Sequence, residues 1–382
     1  MIAYDVLIIG GGMAGVSVAR ELASDRSVGL LEMEPTLAYH TTGRSAAVFI
    51  ETYGPPEIRI LTAASRAFLE DPPDTFESRP LRPIGYLQVA PAGRGEALRR
   101  LHREVVALTP DARLVGPDAV TEVNPALRPG YAELGLVEPG AREIDVHAVH
   151  QGYLRGLRRR GGEVHVGARL VRAERAAGVW TVTTGGGERY QAPLLVDAAG
   201  AWADEVADMA GAAPVGIRSL RRTIFIVAAP PGLDPARVPM TTDTEETFYF
   251  KPEGAGFLCS PADKTPQPPG DARPDETEIA RALDTLADAT ILGARHVGRA
   301  WAGLRSFAPD GLPVVGFDPR AEGFLWLAGQ GGYGIQSATA MARCAAALAR
   351  GDDLPQDVSA RGLTAAAIGP ARPGLAGSAT AP

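Results

Sequence analysis

The chain has 382 residues, 45% of them hydrophobic, and a formal net charge of −7, which is enough for two domains and a substantial core. The modest charge and the lack of a basic stripe interleaved with aromatics argue against nucleic-acid binding, and no apolar run approaches the length of a membrane span. Cys259 and Cys344 lie far apart without metal-ligand spacing, and the first strand begins at Tyr4, so no metal site, disulfide framework or signal peptide is expected, and a cytoplasmic location is.

Tyr4 to Ile9 is an apolar run of strand length, suited to burial on both faces of a parallel sheet. Gly10, Gly12 and Gly15 then fit G-x-G-x-x-G. The first glycine allows a tight turn, the second lets a pyrophosphate approach the backbone, and the third lets a helix lie close to the strand. From Met13 to Ala23 apolar residues recur at helical spacing, so the helix N-terminus faces the phosphates. Glu32 stands 22 positions after Gly10, where an acid can accept from an adenosine ribose and disfavours a 2′-phosphate. A lone glycine fingerprint often serves packing only. Here strand, turn, helix, second strand and acid occur in register, which makes a dinucleotide site the better reading.

Tyr39 to Phe49 is small and polar without period, a loop in which Gly43, Arg44 and Ser45 suit a phosphate or sugar, although Arg44 could equally be an ordinary surface residue. A helix is predicted from Pro55-Pro56 through Phe68, then a strand over Ile84 to Ala90 and a helix over Gly95 to Ala107. Asp145 reads as the N-cap of a helix closed by Gly161-Gly162, with Arg155, Arg158, Arg159 and Arg160 favouring its C-terminal end. Alternating strands follow around Val164–Val166, Leu170–Ala173 and Val179–Thr183. Leu194 to Asp197 returns to a buried strand with a small-residue turn and another helix. Thr223 to Ala228 is a strand, and Phe248–Phe250 with Gly256–Cys259 reads as a hairpin. Phe324 to Gly329 then leads through Gln330-Gly-Gly-Tyr-Gly into an alanine-rich helix, again a glycine turn with a helix N-terminus behind it. The tail from Gly369 is expected to be disordered.

Two interruptions of a Rossmann-like core and a C-terminal glycine turn point to a flavoprotein. The segments Thr42-Gly-Arg-Ser-Ala-Ala, Ala63-Ala-Ser-Arg-Ala-Phe, His150-Gln-Gly-Tyr-Leu-Arg-Gly, Trp301-Ala-Gly-Leu-Arg-Ser-Phe and Gln330-Gly-Gly-Tyr-Gly-Ile-Gln carry the match. Nearly end to end the chain resembles the D-amino acid oxidase family of FAD enzymes, and within it the D-arginine dehydrogenases. The resemblance implies an α/β (α+β) fold, a Rossmann-like FAD-binding domain interrupted by a mixed or antiparallel-sheet substrate domain. The FAD-binding parts would be 1–80, 141–217 and 302–368, and the substrate-binding parts 81–140 and 218–301, with 369–382 as the tail.

By the same resemblance Gly10, Gly12, Met13, Ala14, Gly15 and Glu32 hold the ADP half of FAD. Arg44, Ser45 and Ala47 line its pyrophosphate and flavin side, Leu170 offers backbone contacts to the adenine, and the Ala199-Gly200 turn closes over the cofactor. Gly303 and the run Gly331, Gly332, Tyr333, Gly334 and Ile335 complete the set, the run setting a helix N-terminus against the flavin. Some relatives tether flavin to a cysteine near Trp301–Phe307; none occurs here, so noncovalent FAD is expected. Arg222 and Arg305 would bind a substrate α-carboxylate, with Gly332 nearby and Tyr53 and Tyr249 in a lid. A guanidinium fork matches a carboxylate bidentately, whereas most arginines are solvated or internally paired.

The implied reaction is oxidation of a D-amino acid to an imino acid by hydride transfer from Cα to flavin N5, followed by hydrolysis. The electron acceptor is unidentified, a quinone or O₂. No histidine lies in a matched substrate motif, and His40 beside the flavin loop is read as structural. Two departures from the D-arginine enzymes stand out. Val48 replaces a histidine, and Tyr86 or Leu87 replaces the glutamate that meets the substrate guanidinium. A buried cation without its carboxylate costs several kcal/mol, so an apolar or aromatic side chain is expected unless Glu51 or Glu245 substitutes. The alternatives are a glycine- or sarcosine-type oxidase producing peroxide, or a flavin-binding subunit without turnover of its own.

Overall fold

A computed structural model describes residues 1–376. Its nucleotide-binding half is a six-stranded sheet in the order Glu163–His165, Val28–Leu31, Val6–Ile9, Leu194–Asp197, Phe324–Ala328 and Val314–Phe317. All neighbours are parallel except the last pair. Val6–Ile9 and Leu194–Asp197 are wholly buried, as their continuous apolar runs require. Helices Met13–Leu22, Val146–Arg159 and Ala338–Arg350 cover one face of this sheet. The other face packs on a four-stranded sheet that includes Leu170–Ala176 and Val179–Thr184. Asp145 caps its helix as predicted, its carboxylate accepting from the Ala148 N–H.

The second half is a ten-stranded, mostly antiparallel sheet, and its register positions the site. Arg222 pairs with Gly303 and Leu220 with Arg305, so the strand alternation puts both arginines on one face. Continuing across the sheet, Tyr249 pairs with Ser260 and Thr242, Met240 with Tyr86, and Tyr86 with Glu138. These residues share that face. The opposite face carries Leu87, Val89, Phe225, Phe250 and Phe257, which build a separate core with helix Glu276–Ala289. A small sheet of Val48–Phe49, Arg142–Ile144 and Leu81–Pro83 lies between the halves.

Several expectations change. Strand Ala300–Phe307 runs through the boundary expected at 301/302 and pairs along its whole length with Arg218–Ala228. The boundary expected at 80/81 falls within the small sheet. The helix expected at the Gly331–Ile335 run begins only at Ala338. Gln330–Gly331 instead pairs with Ser306–Phe307, and turns fill the interval. Residues 369–376, read as disordered from their composition, pack on the protein. Arg372 forms a two-armed ion pair with Asp310 at 2.6 and 2.9 Å, and Leu375 is buried. Residues 377–382 of that tail lie outside the described residues.

Candidate active site

One continuous cavity runs from Glu32 and Leu170, past Gly12, Ala199 and Gly200, to Arg222, Tyr249 and Arg305. Its first end is built by the glycine turn. Gly10 has φ +105°, and a Cβ there would stand 2.5 Å from the Ala198 carbonyl oxygen. A Cβ on Gly15 would lie 1.8 Å from the Gly10 carbonyl oxygen, so this glycine seats helix on strand and does not reach the cavity. Glu32 accepts from the N–H groups of Gly11 at 2.7 Å and Glu34 at 2.8 Å. Each carboxylate oxygen keeps acceptor capacity toward the cavity that Glu32 lines. The N–H groups of Gly12 and Ala14 have no acceptor among the described residues, and both residues line the cavity. Gly200 (φ +61°) lines the same space, and a Cβ there would meet nothing within 4 Å. Free N–H donors at a helix N-terminus, an acid 22 positions beyond Gly10 and glycine-cleared walls fit the ADP half of FAD.

Met13, Ala14, Ser45, Ala47, Leu170, Ala199, Gly303, Gly331, Gly332, Gly334 and Ile335 also line the cavity. Besides Gly15, two predicted residues behave differently. Arg44 lines it, but its guanidinium is engaged elsewhere. It pairs with Asp271 at 2.5 Å and donates to the carbonyls of Ala272 (3.1 Å), Ala302 (3.2 Å) and Tyr39 (3.3 Å), so it clamps the loop to the neighbouring sheet. Tyr333 is off the cavity wall; it packs on Tyr53 with ring centroids 5.0 Å apart.

At the other end the structure brings Arg222, Arg305, Tyr53 and Tyr249 together on the cavity wall. A Cβ on Gly332 would stand 2.8 to 3.2 Å from the Arg305 guanidinium, so the missing side chain gives that guanidinium its bed. Arg222 is buried, donates Nε to the Asp263 carbonyl at 3.0 Å, and lies 5.8 Å from the Tyr249 ring centre. Burial, and then the Arg305 charge, pull the Arg222 pKa down. Burial also opposes the Arg305 charge, but Tyr53, Tyr249 and Glu246 outweigh it and hold that pKa up.

Glu246 was missed from sequence. It sits at φ +50° in the turn between Met240–Asp243 and Tyr249–Glu253, lines the cavity and pairs with Lys264 at 2.5 Å. Burial raises its pKa, but Lys264, Arg222 and Arg305 together bring it below the usual value. The signal available was a polar turn with two adjacent acids, and nothing local says which faces inward. The two acids considered instead are engaged elsewhere. Glu51 is held by Arg66 at 3.0 and 2.7 Å, and Glu245 by Arg94 at 2.9 Å; neither lines the cavity. Tyr86, not Leu87, faces the cavity, beside Val48, Ile50 and Met240. His40 lines the cofactor end, paired with Glu34 at 2.8 Å and set against the Trp202 ring, which is a structural setting.

Among the described residues no group of three or more metal-ligating side chains occurs, and no helix is long and apolar enough to cross a membrane. The model of the FAD dependent oxidoreductase family matches residues 5–348. The chain is 26% identical over 360 residues to mouse (Mus musculus) mitochondrial dimethylglycine dehydrogenase, covering 87% of this chain and 40% of that protein, so it spans well under half of that relative. The crystal structure of glycine oxidase from Geobacillus kaustophilus superposes with a TM-score of 0.83 at 19% identity, over 97% of this chain and 98% of that one. An FAD-bound L-alpha-glycerophosphate oxidase from Mycoplasma pneumoniae superposes with a TM-score of 0.79 at 20% identity, over 92% and 95%. These likenesses carry the mixed α/β architecture of an FAD-binding and a substrate domain, and the chain belongs to the FAD dependent oxidoreductase family, with FAD as its cofactor.

Proposed function

We propose that this protein oxidises the amine-bearing carbon of a D-amino acid with an apolar or aromatic side chain. One observation carries the carboxylate. Two guanidiniums, Arg222 and Arg305, face one end of the cavity, and the only carboxylate among the described residues that lines that end, Glu246, already pairs with Lys264. Buried cations in excess call for an anionic ligand. When bound, FAD supplies the two-electron acceptor. Arg305 and Arg222 hold the carboxylate, and the Tyr53 and Tyr249 hydroxyls close over it. The amine proton leaves to water, since among the described residues no histidine lines this end. The imino acid product then takes up water and yields ammonia and a 2-oxo acid.

Val48, Ile50, Tyr86 and Met240 form the wall available to the side chain. Among the described residues a cationic side chain would find only Glu246 as counter-ion, in competition with Lys264. That supports an apolar choice, and the D configuration rests on the likeness of the paired arginines and tyrosines to the D-arginine dehydrogenases. A second reading, a glycine or N-methylglycine type amine, is favoured by the names of the relatives dimethylglycine dehydrogenase and glycine oxidase. Anaerobic bleaching of the flavin by a panel of D-amino acids, glycine and N-methylglycines tests both. Apolar D-amino acids are expected to reduce it with higher kcat/KM than D-arginine. Preference for D-arginine or D-lysine would overturn the apolar reading and direct attention to Glu246. Bleaching by glycine derivatives alone would establish the second reading. Peroxide on admitting air marks O₂ as acceptor; its absence favours a quinone or similar carrier.

A further inference from the structure

Glu138 ends strand Ala132–Glu138 and is completely buried, yet no cation pairs with it among the described residues. Among the described residues its carboxylate is hydrogen-bonded only by donors of one short loop. Oε1 accepts from the Glu51 N–H at 2.8 Å, and Oε2 accepts from the Thr52 N–H at 3.1 Å and the Thr52 hydroxyl at 2.7 Å. These are the two residues directly before Tyr53. The same loop is tied by the Gln336 side-chain oxygen, which accepts from Ile50 N–H at 3.2 Å, and by Arg59, which donates to the Gly54 carbonyl at 2.7 Å. Tyr53 is therefore set on a fixed wall, with its ring against Tyr333 and its hydroxyl side toward Arg305. The neighbouring turn with Glu246 is braced from within by buried Asp243, which accepts from the Thr247 N–H at 2.7 Å and hydroxyl at 2.6 Å, and from outside by Lys264 and Arg94, both largely exposed.

An uncompensated buried carboxylate is costly, and burial pushes its pKa up. Two of its three partners are backbone N–H groups, which can only donate, so both side-chain oxygens must act as acceptors toward this loop. We propose that Glu138 is a positioning residue: it fixes the Glu51-Thr52 backbone and thereby aims Tyr53 at the substrate carboxylate. This rests on the reading that the Arg222–Arg305 end binds a carboxylate.

The test uses holoenzyme and two readouts, benzoate binding followed by the visible flavin spectrum and anaerobic flavin reduction by the best D-amino acid. Glu138→Gln keeps the shape but sets an NH₂ against N–H donors. Benzoate Kd and KM should each rise about tenfold, in the range of one hydrogen bond to a charged group, with FAD content unchanged. In a Tyr53→Phe background the same substitution should add less than about twofold, because coupled residues are not additive. Should Glu138→Gln fail to fold, Thr52→Val removes only the hydroxyl bond, leaves both N–H bonds holding the loop, and should raise benzoate Kd about threefold, again only when Tyr53 is present. A lowered Tm with benzoate Kd unchanged, or an equal effect in the Tyr53→Phe background, overturns the positioning role. If no amino acid bleaches wild type while benzoate still binds and responds, the substrate reading fails and the positioning role stands. If benzoate does not bind wild type, both fail.

Discussion

Replacing Arg305 by alanine tests the substrate end most directly. The guanidinium lies on Gly332, faces Tyr53, Tyr249 and Glu246, and projects from the same sheet face as Arg222. Removing one partner of a buried ion pair costs about 3–5 kcal/mol. Arg222 remains to hold the substrate anion, which places the loss at the low end, about 3 kcal/mol, or roughly two powers of ten in kcat/KM. Arg305→Lys should recover part of this, because a point charge cannot reproduce the planar fork. FAD content should not change in either variant. Amines without a carboxylate should feel the substitution far less. Stopped-flow flavin reduction under anaerobic conditions gives the rate constants directly. An Arg305→Ala protein that folds, keeps FAD and oxidises its amino acid within about threefold of wild type, under 1 kcal/mol, would refute the clamp.

Other outcomes follow from the cofactor end. Acid precipitation should leave FAD in the supernatant, since Trp301–Phe307 contains no cysteine. Glu32→Ala should weaken FAD binding by about 1.5–3 kcal/mol, the range for hydrogen bonds to a charged group, as measured by flavin fluorescence on release; unchanged retention would remove Glu32 from the ribose site. His150 is buried with Nε2 3.0 Å from the Gly11 carbonyl oxygen, and burial, with His147 adding to it, holds its pKa below the ordinary 6.5. The native state then binds fewer protons than the unfolded one just below pH 6.5. This contribution to stability is complete above that pH and is lost as the pH falls toward the depressed value. Thermal melts from pH 8 down to about pH 5 should show that slope in wild type and lack it in His150→Gln.

The first unit of the fold is legible because its determinants are local. Gly15 is needed by its contact with the Gly10 carbonyl and Gly10 by its own positive φ, although the wall that Gly10 also clears, Ala198, is distant in sequence, and Glu32 directly follows the next strand. The Asp145 cap and the Tyr249–Ser260 hairpin are equally local, set by one side chain or one tight turn. The paired arginines and tyrosines were found through whole-chain resemblance, and the sheet register accounts for why they meet. Composition misled where packing overrides it. Residues 369–376 look like a disordered tail, but Asp310, over sixty positions away, holds Arg372.

Side-chain direction was the larger gap. Whether Tyr86 or Leu87 faces the cavity depends on pairing with Met240–Asp243 and Ala132–Glu138, strands 154 and 46 positions away at their first residues. A shift of one residue in that register would reverse every side chain on the strand. Glu246 facing the arginines while Glu245 meets Arg94 is decided by a left-handed residue in one turn and by distant cations. Arg44 looked free for a phosphate until Asp271 and the carbonyls of Ala272 and Ala302 came beside it. Sequence by itself determined the strand–turn–helix units, the cofactor class and the residue types of the site, because those follow from neighbours along the chain. Only the tertiary structure decided which of those residues share a face and which are already engaged, because burial and pairing are set by segments that meet only on folding.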